Sequence, residues 1–168
     1  MGLIPARRSR SKSVVSTLHS LLQLDRESIE AYRLALEHLV DDPMARDTLE
    51  SFCVDHERHV RELRVMLRAF GGDDRLDEGR LLPRGPTDFS GLPGTVPVLR
   101  ALKANEDQVV RAYQAALSID APADCLDIVR RNCNDQLRHR AWLTARVDAF
   151  SRTSAHARAE RTSRISVA

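Results

Sequence analysis

Four long stretches of this chain repeat apolar residues at seven-residue intervals, and each stretch is interrupted once by a polar residue. Taking every seventh residue gives four series: Leu18–Asp25–Tyr32–Leu39, Leu49–His56–Leu63–Phe70, Leu99–Glu106–Tyr113 and Val129–Gln136–Leu143–Phe150. This spacing is typical of amphipathic helices that bury one face against a core. Burying a polar group without a partner costs about 1–3 kcal/mol. Four interruptions at one level of a bundle therefore favour a shared ligand, a hydrogen-bond network or water.

Turn signals divide the chain into four predicted helices. We expect them over about residues 16–40, 43–70, 95–119 and 123–150. Asp42 and Pro43 are the residue types preferred at the N-cap and the first position of helix 2, and the Gly71-Gly72 pair is typical of its end. Residues 71–94 hold six glycines and three prolines. They are predicted to form a long loop.

The lengths of the connections predict the topology. Helices 1 and 2 are joined by a short turn, as are helices 3 and 4, so each pair should form an antiparallel hairpin. The middle loop of about 24 residues can extend to roughly 80 Å, whereas a helix of about 25 residues spans only about 38 Å. Because the loop can cross the whole bundle, we expect an all-α four-helix bundle over residues 14–150, made of two hairpins and a long crossover.

The two hairpins also resemble each other. Residues 25–32 (DRESIEAY) align with residues 106–113 (EDQVVRAY), and residues 53–59 (CVDHERH) align with residues 133–139 (CNDQLRH). A duplicated hairpin with approximate twofold symmetry is the simplest explanation. Counted from the turns at about 1.5 Å per residue, the polar positions of the four helices agree in height within roughly 6 Å. The side chains expected to meet in the middle of the bundle are Asp25, His56, His59, Glu106, Gln136 and His139.

This pattern resembles the ferritin-like superfamily, whose metal-binding members carry one Glu on helices 1 and 3 and a Glu-x-x-His motif on helices 2 and 4. The resemblance covers about residues 14–150 and implies metal ligands at the six positions just named. The start of helix 1, the Gly-Gly pair after helix 2 and the tyrosine of helix 3 look most like a small bacterial bundle family whose function is not established. A role in stress or metal handling is implied by the resemblance alone.

Two departures from the superfamily pattern change the expected metal. The glutamates that bridge the two irons in di-iron members are replaced here by His56 and Gln136, and neither bridges like a carboxylate. Asp25 and Glu106 supply two negative charges, which balance one divalent ion. A single Fe²⁺, Mn²⁺ or Zn²⁺ per chain is therefore favoured over a di-iron ferroxidase centre, and Gln136 would orient water or complete the shell. If the chain is an enzyme, its reaction would be a metal-centred oxidation.

The same residues have a second interpretation. The six side chains can instead form a hydrogen-bonded network without any metal, left over from a lost site. The residues alone leave these two alternatives open.

Two aspartates lie next to the expected site. Asp55 and Asp135 precede His59 and His139 by four residues on the same helix face. They can orient those imidazoles, or they can be solvated aspartates in routine helix pairs, which is the favoured interpretation.

Two pairs of residues related by the repeat lie near the polar positions. Cys53 and Cys133 are interpreted as small buried core residues rather than as metal ligands or a redox pair. Tyr32 and Tyr113 can hydrogen-bond to the site, although core aromatics need no such role.

Charge is distributed unevenly along the chain. The net charge is +2, but the first 17 residues carry +4 and the last 18 carry +3, which leaves −5 on the residues between. Residues 1–13 are predicted to form a disordered basic arm, and residues 151–168 a basic tail that is a frayed helix or disordered. In a rival interpretation the chain is a non-catalytic bundle that forms a homodimer or docks, and its tails make weak contacts with nucleic acid or another anionic surface.

The sequence also suggests where the protein resides. No apolar run reaches the length of a membrane span, and the basic start is not followed by the apolar core of a secretion signal. The chain has three cysteines, an odd number. We therefore expect no transmembrane helix and a cytoplasmic location.

Overall fold

The protein consists of four long α-helices. The computed structural model describes residues 4–39, 42–73, 92 and 94–165. Its helices are α1 Ile4–His38, α2 Pro43–Ala69, α3 Thr95–Ala116 and α4 Ala123–Ile165. No strand occurs within these ranges, so the all-α class is confirmed. None of the helices described is both long enough and apolar enough to cross a membrane.

Each helix packs against two neighbours. α1 contacts α2 and α3, and α4 contacts α3 and α2. The beginning of α1 shares an apolar cluster with the end of α2, the end of α3 and the beginning of α4. All four neighbouring pairs are therefore antiparallel, whereas α2 and α3 run in the same direction. The connection between α2 and α3 must return along the whole bundle, which confirms the predicted crossover, although residues 74–91 lie outside the described ranges.

The core has an apolar cluster at each end and a polar layer between them. The lower cluster is built around Leu18, Leu22, Leu63, Tyr113 and Val129. The upper cluster is built around Tyr32, Leu49, Phe52, Leu99 and Leu143. We define the polar layer as the buried polar side chains Asp25, Ser28, His56, His59, Glu106, Asn132, Gln136 and His139. Each predicted interruption of the heptad series thus lies in this layer.

Both ends of α2 have the structure that their residue types predict. The Asp42 carboxylate accepts a hydrogen bond of 3.1 Å from the Ala45 amide, and proline occupies the first turn. At the other end, Gly71 has a φ of +75°, and the Gly72 amide donates to the Leu67 carbonyl at 2.8 Å. This is a Schellman motif, which satisfies carbonyl groups that the last turn leaves free.

The outer helices are longer than the periodic pattern indicates. α1 begins at Ile4 rather than near residue 16, and its early part packs against the end of α2, where the Ser11 hydroxyl donates to the Phe70 carbonyl. α4 continues to Ile165 rather than ending near residue 150, because no glycine or proline follows Pro122 to stop it. The division into basic arm, bundle and basic tail stays a prediction.

Substituting Asp42 should destabilise the bundle. Besides capping α2, Asp42 pairs with Arg146 of α4 at 2.5 Å. We expect Asp42→Ala to lower the free energy of unfolding by about 1–2 kcal/mol, as measured by urea denaturation. Asp42→Asn keeps a capping side chain without the charge, so its free energy of unfolding should fall clearly less. Equal losses in the two variants would show that the ion pair, rather than the cap, accounts for the stabilisation.

Candidate metal centre

The structure brings the six predicted site residues together in the polar layer, one or two from each helix. Every one of them is buried, with 0–1% of its surface exposed. They are Asp25 on α1, His56 and His59 on α2, Glu106 on α3, and Gln136 and His139 on α4. The antiparallel packing of long helices therefore places these side chains at one height, as the count from the turns predicts.

His56 joins the two carboxylates of the layer. Its Nδ1 lies 2.7 Å from Asp25 Oδ1, and its Nε2 lies 3.2 Å from Glu106 Oε1. Burial lowers the pKa of His56, but the hydrogen bonds to Asp25 and Glu106 outweigh it and raise this pKa to about 9. Burial likewise raises the pKa of Asp25, but the hydrogen bonds from His56 and His59 bring it down to about 2. In the metal-free protein His56 is therefore a cation beside the ionised Asp25, and it also bonds to the carboxyl group of Glu106.

The carboxylate of Asp25 is fully hydrogen-bonded. Asp25 Oδ1 lies 3.2 Å from His59 Nδ1 and accepts from the Gln136 amide at 3.1 Å, in addition to His56. Asp25 Oδ2 accepts from the Tyr113 hydroxyl at 2.5 Å. Both oxygens of this carboxylate are therefore occupied by protein donors.

The Glu106 half of the layer is not saturated. Glu106 Oε1 accepts from the Tyr32 hydroxyl at 2.7 Å. Glu106 Oε2 and His139 Nδ1 are buried and have no hydrogen-bond partner among the described residues. His139 Nδ1 lies 3.9 Å from Glu106 Oε1, which is too far for a hydrogen bond. Two ligand atoms on this side are thus free to take an ion.

The tautomer of His139 is fixed from the opposite side of the ring. Burial lowers the pKa of His139 to about 3, and the charge of His56 adds to this effect. The neutral ring places Nε2 at 3.1 Å from Asp55 Oδ2, where it donates its proton to that carboxylate. Nδ1 therefore carries a lone pair.

The two aspartates near the site are not the solvated helix partners that the sequence favoured. Asp55 reaches His139, and Asp135 reaches His59 Nε2 at 3.3 Å, so each aspartate pairs with the imidazole of the other helix. Their side chains are only 16% and 13% exposed. The reason is that α2 and α4 are antiparallel neighbours, which places Asp55 opposite His139 and Asp135 opposite His59. A spacing of four along one helix does not reveal this pairing.

Two arginines that the heptad pattern does not reveal complete this arrangement. Arg58 hydrogen-bonds Asp135 and also Asp55, while Arg138 contacts Asp55 at 2.5 Å and Asp135 at 2.8 Å. We call these four residues the Asp–Arg network. The signal was present, because both halves of the repeat read Asp-x-x-Arg-His.

The remaining predicted neighbours divide into two groups. Tyr32 and Tyr113 do bond to the site, each to a carboxylate of the other half of the repeat. Cys53 packs in the upper cluster and Cys133 in the lower one, and burial raises the pKa of both thiols. The cysteines are therefore buried core residues in separate clusters.

Two sets of three side chains have ligand atoms within 4.8 Å of one another: Asp25, His56 and His59, and His56, Glu106 and His139. His56 belongs to both. The second set combines two imidazoles and one carboxylate, a ligand set suited to Fe²⁺, Mn²⁺ or Zn²⁺. Two residues of the second set keep an unpartnered ligand atom, Glu106 Oε2 and His139 Nδ1, whereas both oxygens of Asp25 in the first set already accept hydrogen bonds.

Comparison with known proteins identifies the fold but not the activity. No family model and no curated protein matches the chain. A solved two-domain protein from Anabaena variabilis, containing DJ-1/ThiJ/PfpI-like and ferritin-like domains, matches with a TM-score of 0.69 and 16% sequence identity. The chain has a ferritin-like fold. The match covers 83% of this chain and 40% of the Anabaena chain.

In the metal-free protein, we expect the free energy of unfolding to fall as the pH rises from about 6.5 to about 9. The folded pKa of His56 is raised from 6.5 to about 9, so its stabilising charge is fully present below pH 6.5 and is lost as the pH rises through 9. Asp25 stays ionised throughout because its pKa is about 2.

Urea unfolding with a chelator present should show that the free energy of unfolding falls by about 1–3 kcal/mol between pH 6.5 and 9.5. The variant His56→Gln should lack most of this dependence. Parallel profiles for the two proteins would contradict the assignment of a charged His56.

Proposed function

We propose that this ferritin-like bundle binds one divalent metal ion, Fe²⁺, Mn²⁺ or Zn²⁺, through His56, Glu106 and His139. The observation that carries the proposal is the pair of buried, unpartnered ligand atoms, Glu106 Oε2 and His139 Nδ1, beside His56. Leaving such atoms unpaired in a core is costly, and a cation satisfies both at once.

Each imidazole of this set has a carboxylate on the nitrogen that faces away from the ion. Asp25 accepts from His56 Nδ1, and Asp55 accepts from His139 Nε2. Carboxylates in this position orient metal-bound histidines and raise their basicity. The arrangement supports Asp25 as a positioning residue for the site.

His59 is proposed to be a supporting residue rather than a ligand. Its Nδ1 lies 3.2 Å from Asp25 Oδ1, and its Nε2 lies 3.3 Å from Asp135 Oδ2. Both ring nitrogens already have protein partners, because Gln136 also lies 3.1 Å from Nδ1 and Arg58 lies 3.1 Å from Nε2. Gln136 donates to the same Asp25 oxygen and helps to hold it.

The charges of the layer favour one ion over two. Binding at His56 Nε2 displaces the proton that makes His56 cationic, so the ion takes over that positive charge between Asp25 and Glu106. When bound, iron held by two histidines and one carboxylate with open positions supplies the chemistry of non-haem oxygenation. A role in metal handling or stress follows only from the resemblance to ferritin-like proteins and is part of the proposal.

Metal content tests the ligand assignment. Protein purified without chelator and loaded anaerobically with Fe²⁺, or with Mn²⁺ or Zn²⁺, should hold one ion per chain by elemental analysis. Glu106→Gln and His139→Gln should lose the ion, whereas His59→Gln should keep it. Two ions per chain would show that both sets of ligands are filled. No metal under any of these conditions would leave a metal-free network and overturn the proposal.

The two aspartates of the Asp–Arg network provide a matched pair of variants. Asp55→Asn should weaken metal affinity about 10–100-fold because it withdraws the partner of a metal-bound histidine. Asp135→Asn changes the equivalent residue beside His59 and should have a much smaller effect. Competition with a chromogenic chelator measures both affinities. Equal losses would indicate that the network acts through bundle stability and not through His139.

A further inference from the structure

The seam between α2 and α4 has different residues at its two ends. At the upper end the Phe52 ring stacks on His139 with centroids 4.1 Å apart and meets the Trp142 ring edge-on at 5.7 Å. The repeat relates Phe52 to Asn132 and Trp142 to Glu62, both with an offset of 80 residues. We call Phe52 and Trp142 the aromatic plug, which covers one end of the seam. Asn132 and Glu62, the polar pair, lie at the other end.

The polar pair is buried and incompletely bonded. Asn132 is 0% exposed, and neither its amide nitrogen nor its amide oxygen has a hydrogen-bond partner among the described residues. Glu62 Oε1 accepts from Arg131 at 2.7 Å, but Glu62 Oε2 is buried and has no such partner. Arg58 Nε is also buried, and it lies 4.0 Å from Glu62 Oε1, beyond hydrogen-bond distance.

These groups lie next to the Asp25 half of the polar layer. The Asn132 amide lies near enough to the Tyr113 hydroxyl to lower its pKa, although the two groups do not form a hydrogen bond of normal geometry. The Tyr113 hydroxyl donates to Asp25 Oδ2. Asn132 and Tyr113 therefore form a polar series that ends at the core carboxylate, and Glu62, which is 23% exposed, pairs with Arg131, the residue next to Asn132 in the chain.

The unpaired atoms include two acceptors and two donors, which matches the bonding of water. Buried waters in proteins satisfy about three otherwise unpaired polar groups each. An anion would be repelled by Glu62, and Arg58 and Arg131 oppose a cation. The mixture thus favours a small neutral molecule over an ion.

We propose that Glu62 and Asn132, with Tyr113 at its inner end, form a water-binding port that connects the Asp25 half of the core to solvent. The port is one-sided, because the aromatic plug of Phe52 and Trp142 occupies the equivalent end of the seam. Water, and any molecule of its size and hydrogen-bonding capacity, reaches the polar layer through this port. The inference does not depend on metal binding.

Two tyrosines in the same protein provide the test. Tyr32 and Tyr113 are at most 1% exposed, and each donates to a buried carboxylate, but Tyr32 lies below the plug, 6.2 Å from the Phe52 ring. In the metal-free protein, we expect the hydroxyl proton of Tyr113 to exchange with solvent at least tenfold faster than that of Tyr32, measured by proton NMR. Equal rates, or faster exchange at Tyr32, would overturn the proposal.

Variants at symmetry-related positions test whether the port lies at Asn132. Asn132→Leu should slow Tyr113 exchange at least tenfold and leave Tyr32 unchanged, whereas Phe52→Asn should accelerate Tyr32. Val54→Ala, at an exposed position of α2 near Phe52, should change neither exchange rate. If Asn132→Leu does not slow Tyr113, the port is not at Asn132 and the proposal fails.

The melting temperature of Asn132→Leu gives an independent answer. Replacing a truly unpaired buried amide with an apolar group of similar size stabilises a protein, whereas replacing an amide that binds water does not. We therefore expect no rise in the melting temperature. A rise of several degrees would mean that Asn132 is an unpaired core residue and would overturn the proposal. A crystal structure of the wild type should show water bonded to Asn132 and Glu62.

Discussion

The hydrogen bonds of His56 to Asp25 and Glu106 are the interaction on which the middle of this bundle depends. Two carboxylates with at most 1% of their surface exposed would be strongly destabilising without a cation between them. The imidazolium provides that charge, and its two nitrogens fix the separation of the carboxylates across the core. Removing one partner from a buried pair of this kind typically costs about 3–5 kcal/mol, because a charge is left uncompensated. In the proposed function, a metal ion replaces the His56 proton in the same electrostatic role.

The internal repeat explains both the symmetry of the site and its specialisation. The tyrosines, the His–Asp pairs and the Asp–Arg network all follow the twofold relation between the hairpins. The relation fails at His56 and Gln136, because His56 bonds to both carboxylates whereas Gln136 bonds to Asp25 and His59 only. It fails again where Phe52 and Trp142 correspond to Asn132 and Glu62. Because of these differences, the Asp25 carboxylate is fully bonded and lies toward polar groups, whereas Glu106 keeps an unpartnered oxygen and lies toward aromatic rings.

Local signals in the sequence predicted those features that depend on a few neighbouring residues. The interruptions of the heptads identified the polar layer, and Asp42, Pro43 and the Gly-Gly pair predicted the ends of α2. Features that depend on how two helices face each other could not be read in this way. The crossed pairing of Asp55 with His139 requires the antiparallel register of α2 and α4, which no single helix contains. Asn132 could not be predicted from the interrupted heptads, because it lies outside the Val129 series.

The antiparallel packing of neighbouring helices has a consequence for the electric field at the site. Every pair of neighbouring helices is antiparallel, so the macrodipoles of the four helices largely cancel. The polar layer also lies near the middle of the helices, where the partial charges of the helix ends have faded. Helix ends, which often stabilise bound anions or shift the pKa of nearby groups, therefore contribute little here. The electrostatics of this centre are set by its own side chains, so changing a single carboxylate or imidazole should alter them more than any change at a helix terminus.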